Sequence, residues 1–129
     1  MRISTLALAG AFALATTAAL ADDPMANTYA NTVTSTSAKT HQTATLLFAA
    51  DGSYTVKAMS ADGKPVGYAG KWVLKDGGAT ICLTPTVPPN TPNALQPSCS
   101  PLQKHAVGDS WSVTDDHGET FAVSISAGR

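Results

Sequence analysis

Short runs of apolar side chains at every second position, each closed by turn-forming residues, dominate the chain from residue 41 to residue 126. A period of two puts alternate side chains on opposite faces of an extended strand, so each run reads as a strand with one apolar face. Ala44, Leu46 and Phe48 share one such face, and beyond Asp51-Gly52 so do Tyr54, Val56 and Ala58. Asp62-Gly63 precedes a third run, Val66 to Lys75, with Trp72 and Leu74 on the same side. Asp76-Gly77-Gly78 then turns the chain into Ala79 to Thr84, with Ile81 and Leu83 toward the core and Cys82 on the opposite side. The last hairpin pairs Trp111 and Val113 with Phe121, Val123 and Ile125 across a turn at Asp115 to Gly118. Gly, Asp and Asn adopt the left-handed backbone that tight hairpin loops demand, which explains the punctuation. Gly67 and Gly70, inside the third run, read as bulge or bend positions.

No helical period competes with this pattern after residue 21. The expectation is an all-β antiparallel meander forming a small barrel or a strongly curled sheet. Its core would hold Trp72, Trp111, Phe121 and Ile125, and its outer face Ser112, Thr120 and Ser124.

The first residues belong to a different kind of segment. Arg2, an apolar run from about Leu6 to Ala15, and Ala19-Leu20-Ala21 ahead of Asp22-Asp23 match a secretory signal peptide over residues 1–21. The run is too short to cross a bilayer, and no cysteine follows the cut to carry a lipid, so no membrane anchor is expected. Residues 22–129 then make one β domain, exported to the periplasm or beyond, and a monomer. Within it, residues 22–40 hold only Tyr29 and Val33 as large apolar groups among Thr, Ser, Asn and Ala, and read as a loosely ordered arm or edge strand. Seven basic and nine acidic side chains in residues 22–129 leave a net charge of −2. The lysines are scattered singly, which excludes the basic stripe of a nucleic-acid binder.

Cys82 and Cys99 are the only cysteines. Export into an oxidising compartment predicts a disulfide between them, which leaves no thiol for catalysis. The bridge would staple a Pro-rich loop over 85–104, in which residues 85 to 101 hold six prolines in 17 positions. Such a loop cannot pair continuously with a sheet and favours an extended path.

Reactive chemistry has little foothold. His41, His105 and His117 lie far apart in sequence and lack the close spacing of metal ligand sets. Asp115-Asp116-His117-Gly118-Glu119 gathers three carboxylates and an imidazole, but side chains of this type cap the amides of a hairpin turn without any ligand. No G-x-S-x-G elbow or ordered triad occurs. We therefore assign no catalytic, cofactor or metal residue and expect a protein that is not an enzyme and holds no cofactor.

Gly70-Lys71-Trp72 resembles the G-x-W element of lipocalins and related calycin-type barrels, in which the Trp plugs one barrel end. Small exported β-barrel inhibitors of metalloproteases resemble the chain in size, leader, G-x-W element and single disulfide. In both groups the element opens the first strand, whereas three strands precede it here. The resemblance implies a barrel with Trp72 as its plug and carries over no other residue.

The functional expectation is a small exported non-enzymatic protein binding a protein or small-molecule ligand, with inhibition of a secreted or periplasmic hydrolase, or a small enzyme without a recognisable motif, as alternatives. The stapled loop would present Val87, Pro88, Pro89, Asn90 and Leu95 to a partner with little entropy left to lose on docking.

Overall fold

The structure, a computed structural model, describes residues 23–60, 62–86 and 96–129. The segment read as an export signal, residues 1–21, lies outside the described residues.

Eight antiparallel strands follow one another around a single sheet: β1 (Thr32–Ser37), β2 (Thr43–Phe48), β3 (Ser53–Met59), β4 (Pro65–Lys75), β5 (Thr80–Thr86), β6 (Ser98–Pro101), β7 (Ser110–Thr114) and β8 (Thr120–Ser126). Their spatial order is β6-β5-β4-β3-β2-β1-β8-β7, a meander with β8 returning to pair with β1. The fold is thus an all-β meander curled into a nearly closed barrel. Because neighbours are antiparallel, the β2–β3, β4–β5 and β6–β7 connections gather at one end, called here the lower end. The β1–β2, β3–β4 and β7–β8 connections lie at the upper end.

The alternation read from sequence corresponds to the barrel's two faces. Phe48, Tyr54, Val56, Ile81 and Ile125 are buried, and Leu46, Leu74, Leu83, Trp72, Trp111 and Val123 pack partly buried against them. Ser112 and Thr120 are exposed and Ser124 is half-buried. Between β4 and β5 the backbone turns through three consecutive residues of positive φ, Asp76 (56°), Gly77 (68°) and Gly78 (97°). Asp tolerates this region better than most residues, and here its Oδ2 accepts a hydrogen bond from the Thr80 hydroxyl at 2.9 Å.

Three sequence expectations change. Residues 22–40 are not a loose arm or an edge. β1 is paired on both sides, to β2 from Val33↔Leu46 to Thr36↔Thr43 and to β8 from Thr32↔Ser126 to Ser37↔Phe121. Two complete ladders and β-branched residues sustain a strand with little apolar surface. Its one deeply buried polar side chain, Ser37, is satisfied: the hydroxyl donates to Glu119 Oε2 at 3.1 Å and accepts from the Lys39 and Thr40 amides at 3.2 Å. Ahead of β1, residues 24–30 form successive turns that lie across the lower end of the barrel. Pro24 approaches Gly78, the Asn27 side chain donates to His105 O at 2.8 Å, and Tyr29 stacks on Trp72 with ring centroids 6.2 Å apart. Met25, at 1% exposure, is the most buried large side chain described.

The Pro-rich loop is shorter than 85–104. β5 runs through Pro85 to Thr86 and β6 occupies Ser98–Pro101, so both ends of that span belong to the sheet. Finally, Gly67 and Gly70 make no bulge, since the β3–β4 register is unbroken from Ser53↔Lys71 to Met59↔Pro65. Gly70 instead gives room to its cross-strand partner Tyr54, whose ring crosses over it. A Cβ at Gly70 would lie 2.6 Å from Tyr54 Cζ and 2.5 Å from Thr84 O.

Candidate functional site

The barrel interior is not filled by the described side chains. A cavity of about 260 Å³ runs along it, and all eight strands contribute to its wall. Leu46, Phe48, Val56 and Ile81 form one side, and Trp111, Val113, Phe121, Val123 and Ile125 the other. Met25 and Thr28 of the N-terminal turns close the lower end.

The register explains why space is left. Ser35 of β1 stands opposite Ala44 of β2, and Ala44 opposite Ala58 of β3, so three adjacent strands carry small side chains at the same level. On the far wall β6 turns Ser98 and Ser100 inward. Small residues at four wall positions, Ser35, Ala44, Ser98 and Ser100, leave a space that Leu or Phe would have filled.

Polar groups on the wall are few. They include the hydroxyls of Ser35, Ser98, Ser100 and Tyr68, the Gln103 amide and the His105 imidazole. Burial raises the pKa of Tyr68 above the ordinary phenol value. Its neighbour Tyr54, 2% exposed, is pushed up to about 12, by burial first and then by Tyr68. Both phenols are therefore uncharged at neutral pH. Asp115 is the one carboxylate on the described wall. Its Oδ1 accepts from the amides of His117 (3.0 Å) and Glu119 (2.9 Å), so it caps the β7–β8 turn.

One seam of the barrel lacks a ladder. At the upper end of the β6–β7 junction the Asp116 amide donates to Cys99 O at 2.9 Å and the Cys99 amide to Asp116 Oδ1 at 3.0 Å. His117 Nε2 donates to Pro97 O at 2.9 Å, and that bond, with Asp116 beside it, raises the imidazole pKa. At the lower end the His105 ring lies flat on Trp111, centroids 3.5 Å apart and planes 6° from parallel, with His105 Nδ1 3.6 Å from Asp109 Oδ2. Between these contacts Pro101 has no amide hydrogen to offer β7.

Cys82 and Cys99 are bonded, as the sequence predicts, and stand directly opposite in the β5–β6 register. Val87, Pro88, Pro89, Asn90 and Leu95, the loop expected to meet a partner, lie outside the described residues. Trp72 lies at the lower end, where its Nε1 donates to Ala49 O (3.0 Å) and Ser53 O (3.1 Å), and its ring meets Phe48 edge-on as well as Tyr29. It does not line the cavity. Of the three histidines, only His105 does. No group of three or more His, Cys, Asp or Glu side chains able to hold a metal ion occurs among the described residues. The acidic run at 115–119 acts as the turn its composition suggests, with Asp116 and His117 additionally closing the seam. The sequence reading did not foresee the cavity, whose only trace there is the coincidence of small residues at inward positions.

Fold and site together define a nearly closed, disulfide-linked eight-stranded barrel around an apolar chamber. No protein-family model, curated protein or solved structure matches the chain.

Proposed function

We propose that this chain is an exported, non-enzymatic, monomeric binding protein that carries a small molecule inside its barrel. The chamber carries the reading. Side chains from all eight strands, most of them apolar, surround about 260 Å³ that the described side chains leave open, and the small residues Ser35 and Ala44 keep that space where larger ones would close it. Export is supported by the leader-like composition of residues 1–21, and the disulfide is consistent with an oxidising environment outside the cytoplasm. The two sheet edges face each other across the seam, which leaves little free edge to recruit a second copy.

The test is Ala44→Leu. Filling the chamber should raise the melting temperature and abolish uptake of small apolar molecules, read by calorimetric titration or by ligand-induced stabilisation. A variant that binds such molecules as the parent does would reject the chamber as the site.

A further inference from the structure

We propose that the chamber takes a compact, uncharged, largely apolar molecule of about ten non-hydrogen atoms and rejects its anionic counterparts. This rests on the chamber being the binding site. Size follows from volume: an apolar cavity of roughly 150 Å³ accommodates benzene, so 260 Å³ has room for something near the size of a two-ring aromatic or a short branched aliphatic.

Charge follows from the wall. No Lys or Arg lines the chamber among the described residues. Residues 87–95, which are not described, contain no charged side chain in their sequence. The one carboxylate on the wall, Asp115, repels an anion. A ligand carboxylate would therefore lose its hydration with no Lys or Arg on the described wall to replace it, and the one imidazole there, His105, lies flat on Trp111 with Nδ1 already 3.6 Å from Asp109 Oδ2, so entry costs several kcal/mol. A cationic ligand fares little better. Asp115 Oδ1 is already engaged by two turn amides, and no second acid stands on the described wall to share the neutralisation. What the wall does offer is hydroxyl groups. Ser98 and Ser100 on β6 and Tyr68 on β4 can each donate to or accept from a single hydroxyl or carbonyl on an otherwise apolar ligand. One such polar group fixes the ligand's orientation, and the rest of its affinity comes from apolar surface.

The experiment compares three probes that share one naphthalene ring at pH 7: 1-naphthol, which is neutral, 1-naphthoate, an anion, and 1-naphthylmethylamine, a cation. Each is titrated calorimetrically into the full disulfide-bonded protein and into Ala44→Leu. The expected result is 1-naphthol binding at least about tenfold more tightly than either charged probe, with all uptake lost in the filled variant. Equal or tighter binding of 1-naphthoate overturns the exclusion of anions, and tighter binding of the amine overturns the preference for an uncharged ligand by making Asp115 the recognition group. In both cases the chamber would still be the site. Absence of binding by all three, or binding unchanged in Ala44→Leu, removes the chamber reading itself.

Discussion

Replacing Gly70 by Ala adds one methyl group and should destabilise the barrel severely. The added Cβ would fall 2.5 Å from the Thr84 carbonyl oxygen and 2.6 Å from both Cζ and the hydroxyl of Tyr54. Each approach is about an ångström inside van der Waals contact. Neither neighbour yields easily. Thr84 O belongs to the backbone of β5, which the β4–β5 ladder holds from Ala69↔Thr86 to Lys75↔Thr80. The Tyr54 ring is 2% exposed and packed against Phe48, centroids 5.9 Å apart. Overpacking in a core costs about 1 to 3 kcal/mol, and a clash with two hard neighbours belongs at the upper limit, about 3 kcal/mol. For a domain of this size that lowers the melting temperature by about 12 to 24 °C. Thermal and urea unfolding followed by β circular dichroism would measure it. Because only part of the clash involves the phenol, the cost of Gly70→Ala should shrink by about 1 kcal/mol in a Tyr54→Ala background. An unchanged melting temperature for Gly70→Ala, or strictly additive effects in the double variant, would refute the argument that Tyr54 and Gly70 are shaped to each other.

Two further outcomes follow from titrating groups. His117 has a folded pKa above its unfolded value, so its contribution to stability is complete below about pH 6.5 and is lost as pH rises through the folded value. Thermal unfolding from pH 5.5 to 8.5 should show this decline in the parent and not in His117→Gln. Tyr54 keeps its proton to about 12 when folded but ionises near 10 when unfolded, so stability should fall from about pH 10 upward. Tyr54→Phe should flatten that alkaline decline in a pH-jump unfolding series, while a parallel decline in both proteins would count against Tyr54 as its source.

Strand faces were legible in sequence wherever large apolar residues alternate with polar ones, as in Phe121, Val123 and Ile125 or Tyr54 and Val56. Such patterns report burial on one side of a sheet, and burial is local enough to read. β1 escaped because its stability lies in two ladders and in cross-strand pairs such as the Thr36 and Thr43 hydroxyls, 2.9 Å apart, which no composition rule weighs. β6 escaped for the opposite reason. Its four residues sit among prolines, and it is a register with β5 from Leu83↔Ser98 to Thr80↔Pro101, centred on Cys82↔Cys99, that carries them into the sheet. The chamber was illegible for a third reason: a void is a relation among Ser35, Ala44, Ser98 and Ser100 on different strands, and it exists only once register is known.

β6 shows how the disulfide and the chamber depend on each other. The strand pairs with β5 over four residues, and its other edge forms no ladder with β7, being held by the paired Cys99–Asp116 hydrogen bonds to the β7–β8 turn. A strand held so briefly can slip, and a slip of one residue would reverse its faces, bringing Cys99 inward and turning Ser98 and Ser100 out. A bond between Cys82 and Cys99, directly opposite one another, forbids that slip and holds the two serines against the chamber. Closing a loop across a separation of 17 residues also contributes about 3 kcal/mol through the unfolded state. The two effects can be separated. A purely entropic contribution destabilises the whole barrel evenly, whereas loss of register acts first on β6 and its seam. In the Cys82→Ser, Cys99→Ser variant, native-state hydrogen exchange should accelerate most at the Leu102 amide, bonded to Ala79 O, and at the Asp116 amide, bonded to Cys99 O. The Ser37 amide, bonded to Gln42 O between β1 and β2, should respond only to the global loss. Equal acceleration at all three amides would leave the disulfide as a general staple and remove its claim to set the wall of the chamber.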